Sequence, residues 1–73
     1  MSNLVLTNIR PSTRFAYLHT YDLVKEGRYK QTIIAYVHIG EDNDAQVVML
    51  KQHSQTNIEE FLCDSGYTNI NFE

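Results

Sequence analysis

Apolar and polar positions alternate along two stretches in the first half of the chain. From Thr13 to Val24 one side collects Phe15, Tyr17, His19, Tyr21 and Leu23, and the other Ala16, Leu18, Thr20, Asp22 and Val24. From Tyr29 to Ile39 one side carries Ile33, Ala35, Val37 and Ile39, the other Ile34 and Tyr36. A repeat of two marks β-strands. Between the runs stands Val24-Lys25-Glu26-Gly27-Arg28, a tight reversal in which Gly27 suits the positive φ of a three-residue hairpin loop. Pairing Val24 with Arg28 sets Asp22 opposite Lys30, Thr20 opposite Thr32, Leu18 opposite Ile34 and Ala16 opposite Tyr36. Opposite-charge and Thr–Thr neighbours both favour that register.

The segment from Ala45 to Gln52 predicts a third long strand, with Val47 and Met49 on one side and Val48 and Leu50 on the other. Leu4 to Ile9 predicts a first short strand that Arg10-Pro11-Ser12 ends, and Asn69 to Phe72 a last one. A short helix lies between. Thr56-Asn57-Ile58-Glu59 has the form of a capping box, with Glu59 and Glu60 near the positive end of the helix dipole. Ile58, Phe61, Leu62 and Ser65 make one face at helical spacing. Gly66 then supplies a left-handed C′ residue, and Tyr67 the hydrophobic contact of a Schellman motif.

These elements predict one α+β domain over residues 1–73. It is an antiparallel β-meander of three long strands, with short terminal strands and one short helix in the C-terminal half packed on one face. The aromatic-rich face is the one the helix is expected to cover. The other face keeps Ala16, Leu18, Ile34 and Tyr36, with Val48 and Leu50 beside them, ringed by Arg14, Lys30, His38 and Asp22. Contiguous apolar patches of this kind mark interaction sites. The competing expectation is that the terminal segments fold over this face and make it core.

Composition narrows the function classes. Seventy-three residues support only a small core, a size at which association often adds stability. With 42% hydrophobic and 21% charged residues the chain reads as folded rather than disordered. The single cysteine, Cys63, excludes an internal disulfide and suits a reducing compartment. No segment approaches the ~20 apolar residues of a membrane span. The opening MSNLVLTNIRP lacks the pattern of a secretion signal. A cytoplasmic location is therefore expected. A net charge of −3 weighs against a nucleic-acid binder, which normally carries surplus Lys and Arg.

Motifs for chemistry are sparse. Glu41-Asp42-Asn43-Asp44 resembles the start of a calcium loop, but counting from Asp42 puts Val47 and His53 where a glycine and a bidentate glutamate are needed. His19, His38 and His53 lack the spacing that gathers imidazoles on one metal. Cys63 lies near a helix C-terminus beside Asp64, where both charges oppose thiolate formation. Glu59 and Glu60 are adjacent on a helix and point apart, so they cannot flank one substrate atom. Neither a nucleophile elbow nor a glycine-rich phosphate loop is present. No catalytic residue, metal, cofactor or small-molecule substrate is expected.

The reading that follows is a small non-enzymatic protein–protein interaction module: an accessory factor, modulator or inhibitor. It would bind a second copy of itself, as a homodimer, or a larger protein, through Ala16, Leu18, Ile34, Tyr36, Val48 and Leu50. The alternative is single-stranded nucleic-acid binding through the same face, with Tyr36 stacking and Arg14, Arg28, Lys30 and Lys51 on phosphates. Three things count against it: one aromatic on that face, Asp22 offsetting Lys30, and the acidic balance. A further idea is that Glu41, Asp42, Asp44, Glu59, Glu60 and Asp64 present a negative surface to a basic partner, against ordinary solvation of a loop and a helix.

Overall fold

The structure, a computed structural model, describes residues 3–73. Five strands and one helix follow in the order β1 (Leu4–Pro11), β2 (His19–Glu26), β3 (Gln31–Ile39), β4 (Asp44–Met49), α1 (Gln55–Asp64) and β5 (Thr68–Phe72). They form one mixed sheet in the spatial order β1-β2-β3-β4-β5. The first four strands are an antiparallel meander, and β5 runs parallel to β4. A parallel neighbour needs a crossover, and α1 supplies it.

One face of the sheet and the helix share a single core. Leu23, Val37, Ile39 and Val47 from the strands and Ile58 and Leu62 from α1 are its largest fully buried side chains. Each contributes about 1.5–3 kcal/mol of burial. Leu4, Ile34, Ala35 and Ala45 complete it, with Tyr67, Ile70 and Phe72 packed around the edge. Burial and a side-chain hydrogen bond with Tyr21 both push the Tyr67 hydroxyl above its ordinary pKa, burial being the larger cause.

The helix ends as its sequence predicts. Tyr67 donates its backbone N–H to Leu62 O at 3.1 Å, and Gly66 donates to Cys63 O at 3.1 Å with φ at +97°. That pair of bonds is a Schellman motif. The start differs. Ser54, two residues before Thr56, is the N-cap, and its Oγ accepts from Asn57 N at 3.3 Å. Ser54 is as good a cap as threonine, and the earlier start adds half a turn. Glu59 and Glu60 consequently fall in the second turn, past the reach of the dipole.

The β2–β3 register also differs from the expected one. Asp22 pairs with Tyr36 and Thr20 with His38, a slip of six residues. The chain reverses at Arg28-Tyr29, with Gly27 donating its N–H to Lys30 O at 2.9 Å. Gly27 does not adopt positive φ. A Cβ on it would stand 2.8 Å from Lys30 O, so close approach is what requires glycine there. An even slip leaves Asp22, Thr20 and Tyr36 on one face. What changes faces is a bulge, because Leu23 pairs with Ala35 and Val24 with Ile33, leaving Ile34 as the extra residue. Ile34 therefore joins the core at 3% exposure, and Ile33 lies outside at 42%. Placing Ile34 on the second face is thereby corrected.

The alternation from Thr13 to Leu18 does not become strand. Ser12 Oγ accepts from Arg14 N at 3.1 Å, and Tyr17 N donates to Arg14 O at 3.2 Å, a local turn that competes with extension. Ala16 sits at φ +74°, a left-handed conformation costing about 1–2 kcal/mol for a residue with a Cβ. The loop rejoins the sheet where Leu18 N donates to Ile39 O at 2.8 Å.

Candidate interaction surface

The face opposite α1 is built from three rows of cross-strand neighbours. The first is Val5, Val24 and Ile33; the second is Thr7, Asp22, Tyr36 and Val48; the third is Arg10, Thr20, His38, Gln46 and Asn71. This face is apolar toward the β2–β3 turn and polar toward the other end.

The polar end is organised by β1 and the loop after it. Thr7 pairs with Asp22 and Arg10 with Thr20, so β1 carries one extra residue over that span. Asn8 takes the left-handed conformation at φ +56°, which asparagine tolerates. The bulge turns Ile9 outward, at 59% exposure, and sends both Asn8 and Arg10 to Asp22. Asn8 Nδ2 donates to Asp22 Oδ2 at 3.0 Å. Arg10 Nη2 lies 2.9 Å from Asp22 Oδ1, off the line of a hydrogen bond, so that oxygen is held by charge. Arg10 Nη1 donates to Asn8 O at 2.8 Å, and its guanidinium carbon stands 5.4 Å from the centre of the Tyr36 ring. Asp22 is 6% exposed, and a carboxylate so buried requires partners of this kind.

His38 anchors the loop. Its Nδ1 lies 2.8 Å from Thr20 Oγ1 and 3.0 Å from Ser12 Oγ. The Tyr17 ring tilts against the imidazole at 5.8 Å, and the Tyr17 hydroxyl donates to Gln46 Oε1 at 2.8 Å. Burial, then the positive charge of Arg14, lowers the His38 pKa from its ordinary 6.5; Glu73 pulls it up and Arg10 down by lesser amounts. The ring is therefore neutral at pH 7, and Nδ1 can accept from either hydroxyl. Ser12 Oγ already accepts from Arg14 N, so its own proton is available to the imidazole. This arrangement fastens the Ser12–Leu18 segment to the sheet.

The structure divides the residues expected to form a site. Tyr36 and Val48 are direct neighbours on this face, both partly buried. Ile34 is core. Ala16 and Leu18 belong to the loop, Leu18 at 53% exposure, and Leu50 lies just past β4 at 47%. Arg14 pairs with Glu73. Arg28 and Lys30 stand at the β2–β3 turn and Lys51 follows β4. Sequence patterning missed Asn8, Arg10 and Ser12, because a bulge and a turn bring them onto the face without any periodic signal.

On the helix side a cleft of about 540 Å³ opens between β1, β2 and α1. Lys25 lines it from the sheet, with Glu60, Phe61 and Asp64 from the helix. Among the described residues no group of three or more His, Cys, Asp or Glu is placed to hold a metal ion. No described helix is long and apolar enough to cross a membrane.

The molecule is thus a small α+β protein with a five-stranded mixed sheet and one covered face. Compared with protein-family models, curated proteins and solved structures, the chain matches none.

Proposed function

We propose that the protein is a small non-enzymatic interaction module that binds a second copy of itself or a larger protein through the uncovered sheet face. The observation that carries this reading is a face that α1 does not cover, where Val5, Val24 and Ile33 form one cross-strand row and Tyr36 and Val48 are neighbours in the next. An accessory, modulating or inhibitory role in a reducing, cytoplasmic setting suits such a surface and the exposed free thiol of Cys63.

The folded chain exposes 4997 Å², within about a tenth of the roughly 4,700 Å² expected of an 8.5 kDa monomer. An area so near a monomer's supports a core that the chain buries by itself. A partner would meet a preformed surface rather than complete a half-built interior, and substitutions on that surface should leave the fold intact.

The test is the double variant Ile33→Lys/Val48→Lys. Sedimentation across a concentration series reads self-association, and affinity capture with quantitative mass spectrometry compares partners held by the parent chain and the variant. The reading expects loss of association or of a captured protein with an unchanged circular dichroism spectrum. A parent chain that stays monomeric and captures nothing the variant does not would overturn it. Nucleic-acid binding through this face is the weaker reading, since Arg10 and Arg14 are both engaged by carboxylates of the same chain.

A further inference from the structure

The turn between β2 and β3 carries a different surface, at the far end of β3 from Glu41, Asp42 and Asp44. We infer that this hairpin tip binds single-stranded nucleic acid, with Tyr29 stacking on a base and Arg28, Lys30 and Lys51 contacting the neighbouring phosphates. The inference is independent of the uncovered face.

The tip is shaped for presentation. The close contact of Gly27 with Lys30 O leaves only Arg28 and Tyr29 at the reversal. Tyr29 is 91% exposed, so its ring contributes almost nothing to the core. The Arg28 guanidinium carbon lies 5.7 Å from the centre of that ring. A tyrosine face beside an arginine is a stacking platform, because every base offers a π-face and the cation meets the adjacent phosphate.

Charge is unevenly divided by the fold. Residues 26–31 and 50–53 hold three of the six Lys and Arg but one of the nine carboxylates, a local balance of +2, against −5 for the remainder. That single carboxylate, Glu26, accepts from Gln31 Nε2 at 3.3 Å rather than pairing with a cation. Among the described residues Arg28, Lys30 and Lys51 make no ion pair, whereas Arg10 and Arg14 do. Lys51 N donates to Ile34 O, and Ile34 is five residues along the chain from Tyr29, so Lys51 and Tyr29 lie at most about 17 Å apart along the hairpin at ~3.3 Å per residue. A cationic track that short suits a few nucleotides, the low end of the roughly 4–16 seen for single-strand sites. The acidic remainder repels a longer polyanion, which selects against wrapping a duplex.

The experiment is fluorescence anisotropy with labelled oligothymidylate and oligouridylate at about 20 mM salt, where phosphate contacts are strongest. Binding is expected, and it should weaken as salt rises. Tyr29→Ala should weaken it at least about tenfold, the loss of one stacked base, while Tyr29→Phe retains it. Arg28→Ala and Lys30→Ala should each lower the salt slope by about one. Absence of binding at low salt overturns the inference. So does heparin or polyglutamate binding the parent chain as tightly as the oligonucleotide, or Tyr29→Ala leaving oligonucleotide affinity unchanged, since each means charge alone is recognised.

Discussion

Asp22 stands directly across the sheet from Tyr36, and Arg10 reaches both: its Nη2 is 2.9 Å from the carboxylate and its guanidinium carbon 5.4 Å from the ring centre. One side chain thus neutralises a buried charge and covers an aromatic ring. It joins the apolar half of the uncovered face to the polar half.

Arg10→Ala should leave the Asp22 carboxylate buried with only Asn8 for company. Loss of one partner from a fully buried pair costs about 3–5 kcal/mol. Arg10 keeps 36% of its side chain in water, so the expected loss is nearer 1–2 kcal/mol. Urea denaturation measures it. The double variant Arg10→Ala/Asp22→Asn should recover part of the loss, because the orphaned charge goes with its partner.

The His38 pKa is lowered in the folded state, mainly by burial and then by Arg14. Between the ordinary value near 6.5 and the lower folded one, the unfolded chain binds a proton that the folded chain does not. Stability is therefore full above that ordinary value and falls as the pH drops from it toward the folded pKa. Urea midpoints at pH 7.5 and pH 5 should show the decline, about which His38→Gln should be flatter. An equally steep decline in His38→Gln would place the titration elsewhere.

Gly66 closes the Schellman motif at φ +97°, a conformation a Cβ disfavours. Nothing lies within 4 Å of where that Cβ would be, so Gly66→Ala isolates backbone strain from steric clash. The expected cost is about 1 kcal/mol, or roughly 4–8 °C in Tm for a domain of this size. Calorimetry gives it directly. No change in Tm would mean that the helix end rearranges freely.

The order of strands and helix, the Schellman ending and the α+β class follow from local signals. Alternation, a glycine and a following aromatic each act within a few residues, whereas the cap expected at Thr56 is supplied by Ser54. Faces were harder. Leu23, Ala35, Val37 and Ile39 were placed together correctly, because an even register slip preserves side-chain parity. Phe15 and Tyr29 shared their period and yet are 96% and 91% exposed. They lie in a loop and a turn, where alternation has no sheet to refer to.

The candidate surface depends on what the chain cannot state locally. A single bulged residue decides that Ile34 is core and Ile33 is surface, and another brings Asn8 and Arg10 to Asp22. Both bulges lie between strands consecutive in the chain, and they arise as each strand seeks to bury its apolar side chains while pairing its backbone. The sequence by itself determined the order of the elements and the α+β class, since those rest on neighbouring residues, but not where each element begins and ends: residues 13–18 alternate and yet are loop. Only the tertiary structure decided which side chains meet across the sheet, because pairing register is settled by packing of the whole.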